Sequence, residues 1–425
     1  MAGLNICQGL RTHGCYTESS SPVQVTHLKS FMQSSPFLNK NLLLLIACQG
    51  LFLTNNVTFI AINGLVGLGL TPIAWMATLP VMGYVVGSAL STSLVSKAQT
   101  LFGRRRSFQL GLAVAIFSSL ICAYAAWSKN FWLLTTGTLI AGFYSANAQL
   151  YRFAATELTT EEHKEKAISW VLAGGILGAV IGPNLASWTK NVLPVPFVGA
   201  YITLTLVGLI GIVLMQFIRF PVEVSNPAGA QTQRPIQDII SQPIFIVSAI
   251  CASLGYGIMN LLMAATPLAM EVCGHPFSST ALVLEFHVIS MFAPGFFTGS
   301  LIKRFGKVNI MVTGLLLNFL CVAIALNGED LSHFLGALIC LGVGWNFLFT
   351  GATTMAMSTY RPEEKNKAQA AINFFVFSTM ALTSFGSGAL VTTQGWSLLN
   401  AWSLILLIVI GLSLGFLVFR LKYKD

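Results

Sequence analysis

Twelve stretches of about 20 mostly apolar residues succeed one another along the chain, each long enough to cross a bilayer core about 30 Å thick as a helix. They lie roughly at 42–64, 73–96, 107–127, 131–152, 167–188, 197–218, 243–270, 279–302, 308–326, 333–358, 367–391 and 396–419. Hydrocarbon offers no partner to a backbone N–H or C=O, so lone segments of this length pair their own backbone groups as helices. Of the 425 residues 55% are hydrophobic and only 9% charged, with a mean hydropathy of +0.74, which excludes a soluble globular domain. The expectation is an all-α polytopic membrane protein with twelve transmembrane helices.

Twelve crossings leave both termini on one side. By this segmentation 21 of the 23 Lys and Arg fall in the termini, the even-numbered connections or the span ends that border them, with only Lys129 and Lys190 on the other face. The densest groups are Lys97 with Arg104, Arg105 and Arg106, then Lys303, Arg304 and Lys307, then Arg361, Lys365 and Lys367. The positive-inside rule therefore places both termini in the cytoplasm. The net charge of +9 reports this topology and contact with lipid headgroups, and no nucleic-acid partner is expected. Residues 1–40 are Ser-rich, hold one acid, Glu18, and lack an apolar core, so they read as a cytoplasmic tail and not as a cleaved signal. Cys7, His13 and Cys15 in that tail read as incidental rather than as a metal site. Cys48, Cys122, Cys251, Cys321 and Cys340 lie inside apolar spans and read as small buried hydrophobes.

A polar stretch over 220–242, holding Pro221, Asn226, Pro227, Gly229 and Pro235, reads as a linker between two six-helix bundles at 41–219 and 243–420, with 421–425 as a short C-terminal tail. The bundles share a repeat. Leu101-Phe102-Gly103-Arg104-Arg105-Arg106 follows the second span and Arg304-Phe305-Gly306-Lys307 the eighth, the glycines 203 residues apart. A glycine turn with basic residues at this place resembles the cytoplasmic loop motif of the major facilitator superfamily, although Thr100 and Lys303 stand where that family usually has Asp. The fifth span adds Gly174-Gly175-Ile176-Leu177-Gly178 and Gly182-Pro183, similar to a motif of facilitator antiporters, but small residues also serve plain helix packing.

Ionisable side chains well inside the spans reduce to Glu285 and His287, and such groups are costly enough in a bilayer to be functional by default. Asn55, Asn56, Asn147, Gln149, Asn346 and Asn373 are neutral polar groups at depth, facing a cavity or bonding between helices. Met259 and Met263 share one face of the seventh span, and His287 and Met291 one face of the eighth. At 1.5 Å per residue Met263 comes level with His287 and Met259 with Met291, both pairs roughly 10–18 Å from the outer end. Three thioethers and an imidazole suit a soft ion such as Cu(I); methionine as apolar filling, with a histidine hydrogen-bonded to Glu or Asn, is the competing account. Met270 continues the methionine face outward. Glu285, on another face, either carries a coupling proton or pairs with a polar neighbour.

Met-x-x-x-Met followed by His-x-x-x-Met in these spans, with Thr266-Pro267 and Phe292-Ala293-Pro294 around them, resembles the CcoA-like copper transporters (CalT) of the same superfamily. That resemblance implies a copper importer of the bacterial inner membrane supplying cuproenzymes such as cbb3-type cytochrome oxidase. Met259, Met263, His287 and Met291 would be its copper ligands. Cys251 and Cys273 match the family's functional thiols by position and would bracket them. It implies copper as transported substrate with no resident cofactor, a periplasmic copper donor, a cytoplasmic copper chaperone, and a monomer in the lipid bilayer. Some relatives of that family are associated with riboflavin instead, so a riboflavin or other organic-solute transporter is the first rival, and a copper-sensing assembly factor the second. A drug efflux antiporter is weakened by the lack of an acid in the first span. No paired carboxylates, activated nucleophile or phosphate loop lies at membrane depth, so an enzyme is not expected.

Overall fold

A computed structural model of the chain describes residues 39–221, 234–361 and 364–422. Cys7, His13 and Cys15, and most of the expected linker, lie outside the described residues. The structure is helical throughout these segments. We label the helices α1 (Lys40–Leu70), α2 (Leu79–Trp127), α3 (Phe131–Ala148), α4 (Tyr151–Glu157), α5 (Lys164–Thr189), α6 (Val198–Gln216), α7 (Ile236–Ile240), α8 (Pro243–Val272), α9 (Phe277–Phe292), α10 (Gly295–Phe305), α11 (Lys307–Leu326), α12 (Leu331–Ala356) and α13 (Lys365–Lys422).

Among the described residues eight helices are long and apolar enough to cross a membrane, or nine if α9 and α10, bent by 43° at Ala293 and Pro294, form one span. Two of the eight run for 54 residues each, Ala74–Trp127 and Lys367–Arg420. Both contain a break, because Gly103 (φ 75°) and Gly395 (φ 82°) adopt a left-handed conformation that ends a helix and that side-chain-bearing residues resist. α3 has 18 residues and is closed by a turn at Gln149 and Leu150 before α4 resumes. Gly306, in the second copy of the basic turn, has φ 87° and ψ 154°, against 75° and 168° at Gly103. The matching motifs thus take matching backbone geometry.

The helices pack in two sets. In the N-terminal set α2 lies on α3 and α6, and α1 on α5; in the C-terminal set α8 lies on α13 and α12, α11 on α12, and α9 on α12. Small residues set these distances. Thr58 Oγ1 donates to the Gly182 carbonyl at 2.9 Å, and a Cβ on Gly174 would come within 2.5 Å of the Ile46 carbonyl oxygen, so the fifth-span glycines serve close approach of α5 to α1. Outward-facing residues such as Leu206, Ile210 and Val213 on α6 are exposed and apolar, as a lipid-facing surface requires.

At the end of the C-terminal set that bears Gly306, Arg234 clasps Glu364. Nε donates to Oε1 at 2.8 Å and Nη2 to Oε2 at 2.6 Å, while the Arg361 backbone N–H donates to Oε2 at 2.9 Å. Gln242 and Arg234 also donate to the Thr359 carbonyl at 2.9 and 3.2 Å. The Arg234 hydrogen bonds first, and the Arg361 N–H second, hold the Glu364 carboxyl down at about 2 from an ordinary 4.5. A depressed carboxylate stabilises the fold above its unfolded value, and that contribution fades as pH falls from about 4.5 to about 2. Glu364→Gln should therefore melt lower than the wild type in detergent at neutral pH, and the gap should close across that acid window. A gap independent of pH would remove the charge from this account.

Candidate functional site

The two sets meet away from the face that carries the Gly103 and Gly306 turns. Thr78, just before α2, accepts the Gly388 backbone N–H of α13 at 3.0 Å and donates to the Phe385 carbonyl at 3.5 Å. Trp75 packs edge-on against Phe385, and Phe197 edge-on against Phe277. The Lys190 ammonium lies 5.2 and 5.3 Å from the last two rings. Asn184 on α5 donates to Glu285 Oε2 on α9 at 2.7 Å, so Glu285 pairs with a polar neighbour across the two sets. Each contact falls near the helix ends opposite the basic turns, so the sets are closed upon one another there.

Further towards the basic turns, near the middle of α8 and α12, aromatic rings gather. Gly255 lets α8 approach Leu348 of α12, a Cβ there lying 2.7 Å from Leu348 Cδ2. This brings Tyr256 edge-on to Trp345 and Phe349, with centroids 5.2 and 5.3 Å away. Trp345 and Phe349, one helical turn apart, stack at 5.4 Å with an interplanar angle of 10°, and Phe292 of α9 joins Trp345 at 6.3 Å. From the N-terminal set Arg152 is the charged group near Tyr256. Tyr84 accepts from Asn56 Nδ2 at 3.0 Å.

Met259, Met263, Met270 and Met291 are buried, at 3, 5, 0 and 6% exposure. Met259 and Met263 lie within about 60° of Tyr256 around α8. His287 is fully buried, and its Nδ1 donates to the Leu338 carbonyl of α12 at 2.7 Å, since a carbonyl can only accept; Nε2 has no partner. α8 and α9 barely touch, because α9 packs on α12 and α5 while α8 packs on α13. Cys251 Sγ lies 3.8 Å from Ser413 Oγ. Cys273, capping α8, donates to Glu329 at 3.5 Å; burial first, then the Glu329 carboxylate, push its thiol up to about 11. It is a protonated thiol, the poorer form for a soft metal.

The polar residues divide. Asn147 donates to the Ser107 carbonyl at 3.0 Å, bolting α3 to α2, and Asn346 donates to the Met291 carbonyl at 2.7 Å while accepting from Thr298, bolting α12 to α9 and α10. Asn55 is buried; Gln149 and Asn373 are exposed. Sequence reasoning passed over Tyr84, Arg152, Tyr256, Trp345 and Phe349. Arg152 closes the expected fourth span, where a search confined to span interiors does not reach, and the rings carry no charge to be counted.

A multi-pass helical chain whose two sets of helices close upon one another on one side, with an aromatic cluster at mid-depth in one of them, is built as a membrane transporter of solutes. Residues 42–384 and 286–425 match the Major Facilitator Superfamily model, and the chain belongs to that family. It is thus a multi-pass transporter of the inner membrane, and not an enzyme. It is 39% identical over 395 residues to the riboflavin transporter RfnT of Brucella anthropi, covering 92% of this chain and 98% of that one. It is 28% identical to the uncharacterized MFS-type transporter YddS of Bacillus subtilis, over 76% of this chain and 78% of that one. Among solved structures it resembles the nucleoside transporter NupG (D323A mutant), with a TM-score of 0.69 at 13% identity over 88% of this chain and 100% of that one. A bacterial metal transporter superposes with a TM-score of 0.62 at 15% identity, over 89% of this chain and 98% of that one. At such identities these structures share the fold alone.

These findings overturn the copper expectation. The strong full-length similarity runs to a riboflavin transporter and not to the CcoA-like family, and among the described residues no three His, Cys, Asp or Glu side chains gather to hold a metal. Copper as substrate, a role in cuproenzyme assembly, and the copper donor and chaperone as partners fall together; the lipid bilayer remains. The physical reason is that methionine at helical spacing is ambiguous. A thioether that would ligate a soft ion also packs favourably against aromatic rings, and the expected rungs required α8 and α9 to face each other closely.

Proposed function

We propose that this chain is a riboflavin importer, or an importer of a closely related flavin. In this reading it has twelve spans in two six-helix halves, 41–219 and 243–420, joined by a linker at 220–242, with both termini in the cytoplasm. α2 and α13 each supply two spans across Gly103 and Gly395, α9 with α10 supplies one, and α3 with α4 another. The observation that carries the function is the 39% identity to a riboflavin transporter across 92% of this chain and 98% of that one. Similarity sustained over almost every helix covers whatever part of the chain meets the cargo.

The local chemistry supports it. A flavin is a large flat heterocycle with a polyol chain, and Tyr256, Trp345, Phe349 and Phe292 offer the apolar, polarizable surface such a ring needs. Met259, Met263, Met270 and Met291, all buried, serve as thioether packing within their helix contacts, and His287 holds α9 to α12. With the basic turns in the cytoplasm, the contacts through Thr78, Phe197 and Glu285 seal the outside, and this is the inward-open stage of alternating access. Glu285 is the position through which a proton would be coupled, its bond to Asn184 breaking as the halves part.

The test is growth and uptake. Bacteria unable to make or import riboflavin should grow on low external riboflavin when they express this chain, and should accumulate labelled riboflavin above empty-vector cells. No growth and no accumulation, with the protein present in the membrane, would refute the reading.

A further inference from the structure

Three hydrogen-bond donors around the ring cluster lack acceptors. Trp345 is 7% exposed, yet its buried indole Nε1 has no partner. Arg152 Nε is likewise buried and unpartnered; the guanidinium lies over the ring of its neighbour Phe153 at 4.9 Å and has no acidic partner among the described residues. The Tyr256 hydroxyl, in the field of Arg152, makes no hydrogen bond among the described residues. Leaving the buried indole and guanidinium nitrogens unpaired is costly, and a lone cation at this depth is costlier still. Trp345 and Tyr256 belong to one half-buried aromatic surface contributed by three helices, and Arg152 is the charged group near it on the N-terminal side.

The geometry points to a binding site between the halves that holds a planar heterocycle by its acceptor-rich edge. The ring packs on Tyr256, Trp345 and Phe349, and the Trp345 N–H, Arg152 guanidinium and Tyr256 hydroxyl donate to its carbonyl and ring-nitrogen acceptors. Donors without acceptors on the protein side select a ligand edge that is all acceptor. In a flavin those acceptors are the two carbonyl oxygens paired with the adjacent ring nitrogens N1 and N5, the N3–H between the carbonyls being a donor that turns away from them, and not the sugar chain, whose hydroxyls donate as readily as they accept. This deepens the flavin reading and rests on it for the identity of the ring. Because Arg152 comes from the N-terminal half and the rings from the C-terminal half, one ligand ties the halves together, which couples its binding to their movement.

The experiment is direct binding to the purified full-length protein, read by quenching of flavin fluorescence, with uptake measured in parallel. Riboflavin should bind, lumiflavin (the same isoalloxazine ring with a methyl group in place of the sugar chain) should displace it, and ribitol should not. Trp345→Phe keeps a ring and removes the N–H, and should weaken binding about 5- to 10-fold; Arg152→Gln should weaken it about tenfold or more, with partial recovery in Arg152→Lys. Uptake by the variants should show a raised KM with near-normal maximal rate at matched abundance. If the wild type takes up riboflavin but both variants bind it unchanged, or ribitol competes and lumiflavin does not, the edge-recognition site is overturned and the importer reading stands. If riboflavin binds with these variant effects but is not accumulated, the site stands and the importer reading falls. Absence of binding by the wild type overturns the site.

Discussion

Gly388→Leu is expected to cut solute uptake at least tenfold while leaving the protein in the membrane at near wild-type abundance. Gly388 gives its backbone N–H to Thr78 Oγ1 at 3.0 Å, and the approach is so close that a Cβ there would overlap that oxygen and lie 2.9 Å from Thr78 Cβ and Cγ2. Overpacking of this kind costs about 1–3 kcal/mol, and it falls only on the state in which α2 and α13 touch. A penalty confined to one of two conformations shifts their populations by roughly 5- to 150-fold. A carrier that cannot reach one state cannot complete a cycle, whereas a carrier damaged in folding would be lost from the membrane. Pairing Gly388→Ala with Thr78→Gly removes the obstacle and should recover more uptake than Gly388→Ala alone. Unimpaired uptake by Gly388→Leu would show that this contact does not belong to the transport cycle.

That the chain is a polytopic bundle of membrane-crossing helices was legible because hydrocarbon leaves a chain little choice, so twenty apolar residues suffice to mark a helix; their number was not, the described residues giving eight or nine such helices where twelve stretches were expected. The Gly103 and Gly306 turns were legible for a similar reason: glycine next to basic residues between two apolar runs reads as a left-handed stop, and both have positive φ. What packs against what was not legible. A soluble amphipathic helix declares its buried stripe, but α8 is apolar on nearly every side, and nothing in its residues says that Met259 and Met263 lie beside Tyr256 while α9 turns His287 towards Leu338. Matching depths along two helices is a necessary condition for a shared site, and it says nothing of rotation or of the partner helices between them. The ring cluster needed tertiary information altogether. Tyr256 and Trp345 are 89 residues apart in sequence, and only Gly255, which brings α8 onto Leu348, hints that they approach.

Gly87→Val and Gly142→Val should each remove most of the folded protein, leaving aggregate in place of a monodisperse peak in size-exclusion chromatography of detergent extracts. α2 and α3 meet backbone to backbone. A Cβ on Gly87 would overlap the Leu139 carbonyl oxygen, and one on Gly142 would overlap the Ser88 amide nitrogen. One turn away, a Cβ on Gly83 would lie 3.1 Å from the Thr135 carbonyl oxygen, so Gly83 and Gly87 form the spaced pair of small residues that lets membrane helices approach closely. Between lipid-solvated helices there is little hydrophobic drive, so the association rests on the many short contacts that this approach allows. An obstacle of flexible side chain could give way, but a carbonyl and an amide already committed to their own helices cannot. The helices must separate instead, and the 3.4 Å contact of Ser88 with Ser145 goes with them. Gly415→Ala is the matching control, because no atom lies within 4 Å of the added carbon and alanine is the better helix former. A monodisperse Gly87→Val protein with normal uptake would mean that α2 and α3 stand further apart than this packing holds.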